Sequence, residues 1–420
     1  MSHALATALH RGRKAASNIM VACLASSREA RAETGVLPSP AMPEDLCPEW
    51  IDTAEGVREA AELCASNGHF ALDTEADSMH SYFHKVCLIQ ITAAGRHLVI
   101  DPLALDPPDL APLWEVVGDP STPVLMHGAD YDIRILDRDY RARVGGLQDT
   151  QIMAQLLGEE KTGLAALLDK ELNIHLDKRY QRADWGRRPL NAAQLAYAAA
   201  DTAFLEELVG RLQSRLEELG RWRWAEEEFR TLEGVRNSVV EPDPVAFERL
   251  KGARALRGAD RDRLYSLYLW RDREARAFDV PPFKILGNRQ LMLLAQEPPT
   301  DAAELGRTEG VGPRAVRRWG RELLSRLHRP QRAPERVPIP RPPKVEPTVR
   351  RRIKDLLAAR DEKATALVLQ GGLLCSRACV DAVATRAPVC STTEDLADAG
   401  LKGWRLEVLG GPFLTALADH

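Results

Sequence analysis

Between about Trp50 and Leu219 the apolar positions switch repeatedly between two periods. Val57, Ala61 and Leu63 lie at helical spacing and predict a helix over Thr53 to Asn67. HFALDTE (69–75) reads as a strand, as do VCLIQITA (86–93) and RHLVIDP (96–102), the last two joined by a turn at Ala94-Gly95. PVLMHG (123–128) is a fourth short apolar run. Behind it, ADYDIRILDRDY spaces Ile133, Leu136 and Tyr140 as a helix. DTQIMAQLLG predicts a helix capped by Asp149 and closed by Gly158, and GLAALLDKELNI predicts another. From Leu190 to Leu219 the pattern predicts one long helix, opened by a capping box of Asn191 and Gln194. A strand meander followed by mixed strands and helices predicts an α/β sandwich with a mixed sheet.

Beyond about residue 225 the strand pattern stops. Arg261 to Leu327 reads as a small helical domain and Val349 to Ala418 as a second, separated by a Pro- and Arg-rich extended linker over 329–348. WRDREARAFDV (270–280) matches ARDEKATALVL (359–369). LMLLAQEPPTDAAEL (291–305) matches VDAVATRAPVCSTTEDL (380–396) after a two-residue shift, and both are followed by a Gly and Trp turn. These matches predict a duplicated module of about 70 residues. The N-terminal residues are rich in Ala, Ser, Arg and Lys, with no acid before Glu29. A transit peptide, an over-long start and a disordered extension all share that composition. Residues 1–45 are read as a disordered extension and set apart from the fold. The expected order is therefore 1–45 extension, 46–220 α/β domain, 221–328 linker helix and first helical module, 329–348 linker, 349–420 second module.

Hydrophobic residues make up 45% of the chain, enough for sizeable cores. The net charge of −4 carries no global basic field, so any contact with a polyanion must come from local patches. Seven irregularly spaced cysteines predict free thiols in a reducing compartment. Cys375, Cys379 and Cys390 lack an evident fourth ligand and read as core residues rather than a metal site. No apolar run is long enough to span a membrane.

The acids change this picture. On a strand, Ala71, Asp73 and Glu75 share one face. Asp130 and Asp132 stand where a strand turns into a helix. Tyr197 and Asp201, four apart, share a helix face beside Ala196, Ala198, Ala199 and Ala200. Acids gathered from three elements suit hard divalent cations such as Mg²⁺ or Mn²⁺. Two such ions suit in-line attack on a phosphodiester, with a phenol orienting the water and no His or Lys base required.

FALDTEAD, LMHGADYDIRIL and YAAADTAFLEEL, in that order, resemble the motifs of the proofreading-type 3′→5′ exonuclease superfamily. RADWGRRPLNAAQLAYAAADT resembles the signature that precedes the third motif in the ribonuclease D family, and the two helical modules resemble its HRDC module. The resemblance implies a ribonuclease H-like mixed-sheet exonuclease domain followed by two small all-α HRDC-type domains. It implies Asp73, Glu75, Asp132 and Asp201 as ligands of two Mg²⁺ or Mn²⁺ ions, with Tyr197 orienting water. The family places its second-motif acid directly before the helix-starting Ile, which selects Asp132 over Asp130. The implied activity is 3′→5′ exoribonucleolytic trimming of structured RNA with a free 3′ end, such as tRNA precursors, releasing nucleoside 5′-monophosphates. The expected protein is cytoplasmic and monomeric, with no membrane and no nucleotide cofactor. The same chemistry on DNA, and a non-catalytic nucleic-acid-binding scaffold, are the alternatives.

Blander readings apply elsewhere. Asp77 serves a turn, Asp130 a helix cap or a partner behind the ligands, His127 a structural contact, and Asp149 with Thr150 a helix cap. His80 and His84, in a loop, at most line the substrate path. Lys178, Arg179, Arg182, Arg187 and Arg188 cluster with Tyr180 and Trp185. They read as a phosphate-contacting rim held by Trp185 rather than as a charged surface loop. Within the rim, Lys178, Arg179, Arg187 and Arg188 are the candidate substrate contacts. Tyr265, Tyr268 and Trp270 read as core.

Overall fold

The computed structural model describes residues 46–238, 243–336, 345–386 and 391–418. The expected N-terminal extension and the middle of the Pro/Arg-rich linker lie outside the described residues. The chain forms two compact units. One holds the described residues up to Glu75, Val86–Asn237 and those from 345 onward; the other holds Ala76–Lys85 and the described residues of Ser238–Pro342.

In the first unit, β1 (Glu49–Ile51), α1 (Ala54–Asn67), β2 (Phe70–Ala76), β3 (Val86–Ala93) and β4 (Arg96–Ile100) come first. α2 (Ala111–Val117), β5 (Val124–Met126), α3 (Asp130–Tyr140), β6 (Leu147–Asp149), α4 (Thr150–Leu156) and α5 (Leu164–Leu172) follow. The six strands form one mixed sheet in the order β1-β4-β3-β2-β5-β6. β3 and β4 run antiparallel across Ala94 and Gly95, both at positive φ (50° and 70°). That left-handed pair is the turn geometry that lets a two-residue hairpin follow the strand twist. β3 is buried along all eight residues, as a strand covered on both faces must be. β1 and β6, three residues each, are too short to show a period, and the sequence reading did not contain them.

The expected long helix is two. α6 (Ala192–Ala203) and α7 (Leu205–Glu218) meet at Phe204, whose ψ of 5° breaks the helical ladder while its ring is buried. No Gly or Pro marks this break; core packing of Phe204 accompanies it. α8 (Trp222–Glu233) completes the α/β part.

The second unit carries α9 (Gly258–Ala277), α10 (Pro282–Ile285), α11 (Asn288–Gln296), α12 (Ala302–Arg307) and α13 (Pro313–His328). Their shared core includes buried Trp270, with Tyr265 and Tyr268 packed partly against it. Back in the first unit, α14 (Pro347–Leu367), α15 (Gly371–Leu374), α16 (Arg377–Arg386), α17 (Thr393–Asp398) and α18 (Gly403–Ala418) repeat the same order. Helix lengths run 20, 4, 9, 6 and 16 residues in one module and 21, 4, 10, 6 and 16 in the other.

The compact units cut across the expected domain boundaries because the C-terminal module packs on α8. Trp404 stacks on Trp224 at 4.7 Å and donates its indole N–H to Glu228 at 2.7 Å, while Arg221 donates to the Leu367 carbonyl at 2.7 Å. Cys64, Cys87, Cys375 and Cys379 are outside any disulfide, as expected, whereas Cys47 is disulfide-bonded, against the expectation; Cys23 and Cys390 lie outside the described residues. No helix among the described residues is long and apolar enough to cross a membrane.

Candidate active site

β2 and β5 run parallel with Phe70 opposite Val124 and Ala71 opposite Leu125. β5 ends at Met126, so Asp73 and Glu75 extend beyond its last residue, at the carboxyl end where open α/β sheets bind ligands. The chain leaving β5 turns through His127, Gly128 and Ala129 into α3, whose first turn carries Asp132. Gly128 has φ 68°, and a Cβ there would stand 3.2 Å from the Gln151 side-chain oxygen. The turn is clamped by Asp149, which accepts from the Gly128 amide at 3.0 Å and the Ala129 amide at 2.8 Å while also capping α4 through the Gln151 amide at 2.8 Å. Asp149 thus does more than the helix capping expected of it. His127 is structural: Nδ1 lies 2.8 Å from the Thr150 hydroxyl, and burial lowers its pKa. Asp130 is neither a cap nor a partner of the ligands; it pairs with Arg134 one turn on, at 2.9 Å.

α6 supplies the third motif. Asn191 and Gln194 form the capping box that starts it, and Ala198 and Ala199 are buried beneath it. The Thr202 hydroxyl meets that of Thr92 on β3 at 2.8 Å and fixes the rotation of the helix. Tyr197 and Asp201 therefore share one face. The Tyr197 ring sits between Tyr180, edge-on at 5.9 Å, and buried Trp185, stacked at 6.0 Å.

Asp132 is buried, whereas Asp73, Glu75 and Asp201 are half-buried. Burial pushes Asp73 well above the usual carboxylate range, and the charges of Asp132, Asp201 and Glu75 push it further. Glu75 rises to about 9, through burial and then Asp201 and Asp132. Asp201 rises to about 7, through burial and then Asp132. Asp132 rises to about 6 through burial, against the lowering effect of a hydrogen bond from the Thr74 hydroxyl at 2.5 Å. Tyr197 is raised by burial and by Asp201, Glu75 and Asp73, so it stays a neutral phenol. Like charges crowded without a cation are costly, and bound cations remove that cost. The donors are all oxygen, which fits a hard divalent ion and not a thiolate- or imidazole-preferring one. Among the described residues no three His, Cys, Asp or Glu side chains are already grouped so as to hold an ion; the acids are linked by their mutual charge.

Beside this centre a cleft of about 570 Å³ is lined by Arg179, Arg182, Arg187 and Asn191, among others. Lys178, Arg179 and Arg187 are exposed; Arg179 pairs with Asp177, and Lys178 and Arg187 make no side-chain ion pair among the described residues. Arg188 departs from the expected rim. It grips Asp101 with two nitrogens (2.6 and 2.8 Å), donates to the carbonyls of Cys87 (2.8 Å) and Trp185 (2.7 Å), and lies over the Trp50 ring. Its donors are spent on fastening the 176–190 segment to the sheet, leaving little for a phosphate. The sequence shows a basic cluster but not which arginine has Asp101 for a partner 87 residues away. Asp77 closes its turn by accepting from the Lys85 amide at 2.8 Å and the Ser81 hydroxyl at 2.7 Å. His80 lies within the second unit, its Nδ1 3.2 Å from Lys284 Nζ.

A 3′-5′ exonuclease family profile matches residues 48–217, and an HRDC domain profile matches 260–327, the first of the two five-helix modules. Fold and site thus define an exonuclease-type domain followed by an HRDC domain. The chain is 32% identical to Ribonuclease D of Acidiphilium cryptum over 389 residues, 90% of this chain and 94% of that one. It is 32% identical over 301 residues to the exosome complex exonuclease RRP6 of Saccharomyces cerevisiae, covering 68% of this chain and 41% of that one. The crystal structure of Escherichia coli RNase D, an exoribonuclease involved in structured RNA processing, superposes with a TM-score of 0.63 at 25% identity, over 89% of this chain and 100% of that one. The chain belongs to the ribonuclease D family.

Proposed function

We propose that this protein is a metal-dependent 3′→5′ exoribonuclease that trims structured RNA, tRNA precursors among its substrates, and releases nucleoside 5′-monophosphates. The observation that carries the proposal is the crowding of four acids beside the neutral phenol of Tyr197: Asp132 raises the proton affinity of Asp73, Glu75 and Asp201, and Asp201 raises that of Asp73 and Glu75. These four acids are the proposed holders of Mg²⁺ or Mn²⁺. Bound there, the ions would activate water and neutralise charge at the scissile phosphate.

The chain's own residues do the rest. Tyr197, wedged between Tyr180 and Trp185, orients the attacking water through its hydroxyl. Water attacks the last phosphorus, the penultimate 3′ oxygen leaves, and the products are a 5′-monophosphate and an RNA one nucleotide shorter. Lys178 and Arg187, with Arg179 beside them, hold backbone phosphates; Arg188 keeps their segment in place. The HRDC domain and the repeated module are proposed to hold the RNA body.

The test is hydrolysis of a 5′-labelled RNA carrying an unpaired 3′ tail, with Mg²⁺ or Mn²⁺ and with chelator, beside a matched DNA. Stepwise metal-dependent shortening of the RNA supports the proposal. DNA-only cleavage, or undiminished cleavage in chelator, overturns it.

A further inference from the structure

Among the described residues three phenylalanines are exposed, and all three lie in the second unit: Phe83 (60%), Phe278 (42%) and Phe283 (51%). Met79, 48% exposed, belongs to the same unit. A soluble surface rarely gathers large apolar side chains without a use for them.

The backbone beneath these rings is fixed. The amides of Tyr82 and Phe83 both donate to Asp279 Oδ1, at 3.0 and 2.9 Å. The Tyr82 hydroxyl donates to Asp272 at 2.7 Å and accepts from Arg276 at 2.9 Å, with the Arg276 guanidinium over its ring. Asp279 itself sits at φ 45°, a conformation that a side chain adopts only when its surroundings hold it there. Residues 76–85 are thus mounted on the end of α9 with the Phe83 ring left outward.

Cations accompany the rings. Lys284 follows Phe283 directly, and Arg318 lies over Phe278 at 3.9 Å. Arg317 and Arg321, on the same helix as Arg318, make no side-chain ion pair among the described residues, although Glu322 lines the same shallow groove. The acids here are already engaged: Asp272 by Tyr82 and Arg276, Asp279 by the 82–83 backbone, and Glu322 by Arg273 and Arg326. Exposed aromatic rings interleaved with cations suit unpaired nucleic acid, the rings stacking on bases and the cations meeting phosphates.

We infer that residues 76–85 and the first helical module together form a base-stacking platform for the unpaired 3′ segment of the RNA, with Phe83 and Phe283 as its rings. The inference rests on the exoribonuclease reading and deepens it by naming where the tail is gripped. Residues 77–85 follow β2 and precede β3 in the chain, so the platform is built into that connection.

The test uses the full chain with Asp201→Asn to silence hydrolysis, and RNA hairpins with no 3′ tail or with an unpaired purine tail. Phe83→Ala with Phe283→Ala should weaken binding of the tailed RNA about tenfold or more, and leave the tail-less hairpin unaffected. Trp at both positions should restore binding. With Asp201 intact, the double Ala variant should raise KM for tailed RNA and leave kcat unchanged. Equal affinity of parent and double variant for the tailed RNA overturns the platform. So does a parent that sediments as a dimer which the double variant dissociates, for the rings then serve a second copy. Hydrolysis that is metal-dependent but indifferent to both rings sinks the platform alone. Ring-dependent binding with no hydrolysis by the intact enzyme sinks the exoribonuclease reading alone.

Discussion

The Thr74 hydroxyl donates to Asp132 Oδ1 at 2.5 Å, joining the carboxyl end of β2 to the first turn of α3. Thr74 points to the opposite strand face from Asp73 and Glu75, yet it reaches the acid contributed by the second motif. Thr74→Val keeps the shape and removes this bond to a charged group. The Mg²⁺ concentration for half-maximal activity should rise about tenfold, with thermal stability little changed. A metal titration of the variant beside the parent checks this, and identical curves would refute the link.

Asp132→Asn and Asp201→Asn should each abolish hydrolysis while RNA still binds. Each also removes a like charge from a crowded, partly buried site. The metal-free variants should therefore melt a few degrees higher than the metal-free parent, at roughly 2–4 °C per kcal/mol relieved. Activity assays, filter binding and calorimetry read the three effects, and a lower melting temperature would count against the shared field.

The same acids set a pH dependence. Glu75, Asp201 and Asp132 bind protons more tightly folded than unfolded, at about 9, 7 and 6. The unfolded chain thus holds fewer protons between its ordinary carboxylate pKa near 4 and those folded values. Metal-free stability should then fall as pH rises across that window, and Mg²⁺ should raise the melting temperature more at pH 8 than at pH 5. Melting curves in chelator and in Mg²⁺ across pH 5 to 9 decide it. A Mg²⁺ effect that shrinks with rising pH would contradict it.

Tyr197→Phe retains the ring packed between Tyr180 and Trp185 and removes only the hydroxyl. Turnover should drop about a hundredfold with metal affinity retained. Unchanged turnover would remove Tyr197 from the chemistry.

Arg187 and Arg188 are neighbours with different work. Arg188→Ala leaves Asp101 buried without its partner and should cost on the order of 3 kcal/mol of stability. Arg187→Ala should leave stability unchanged, raise KM, and lower the slope of log affinity against log salt by about one. Chemical denaturation and salt-dependent kinetics on both variants separate the roles, and exchanged outcomes would reverse the assignment.

How much of this was legible in the sequence depends on range. β3 was readable residue for residue because eight consecutive buried positions leave a strong local signal. The capping box at Asn191 and the cap at Asp149 are likewise local and visible. The break at Phe204 was not, because no Gly or Pro marks it; the ring there is buried in the core. Asp149 reaching back to Gly128, Arg188 meeting Asp101, and the C-terminal module settling on α8 are contacts between residues 21 to more than 170 positions apart. Pattern along the chain names the residue types for such contacts but not the partners. The four acids proposed as metal ligands differ, since the motifs that name them are themselves local.

The central claim, that Asp73, Glu75, Asp132 and Asp201 hold divalent ions, is tested most directly by anomalous scattering from a crystal soaked in Mn²⁺. The account predicts anomalous peaks among these four side chains, with carboxylate oxygens about 2 Å from the ions, and their loss in Asp201→Asn. Peaks elsewhere, or none at saturating Mn²⁺, would contradict it.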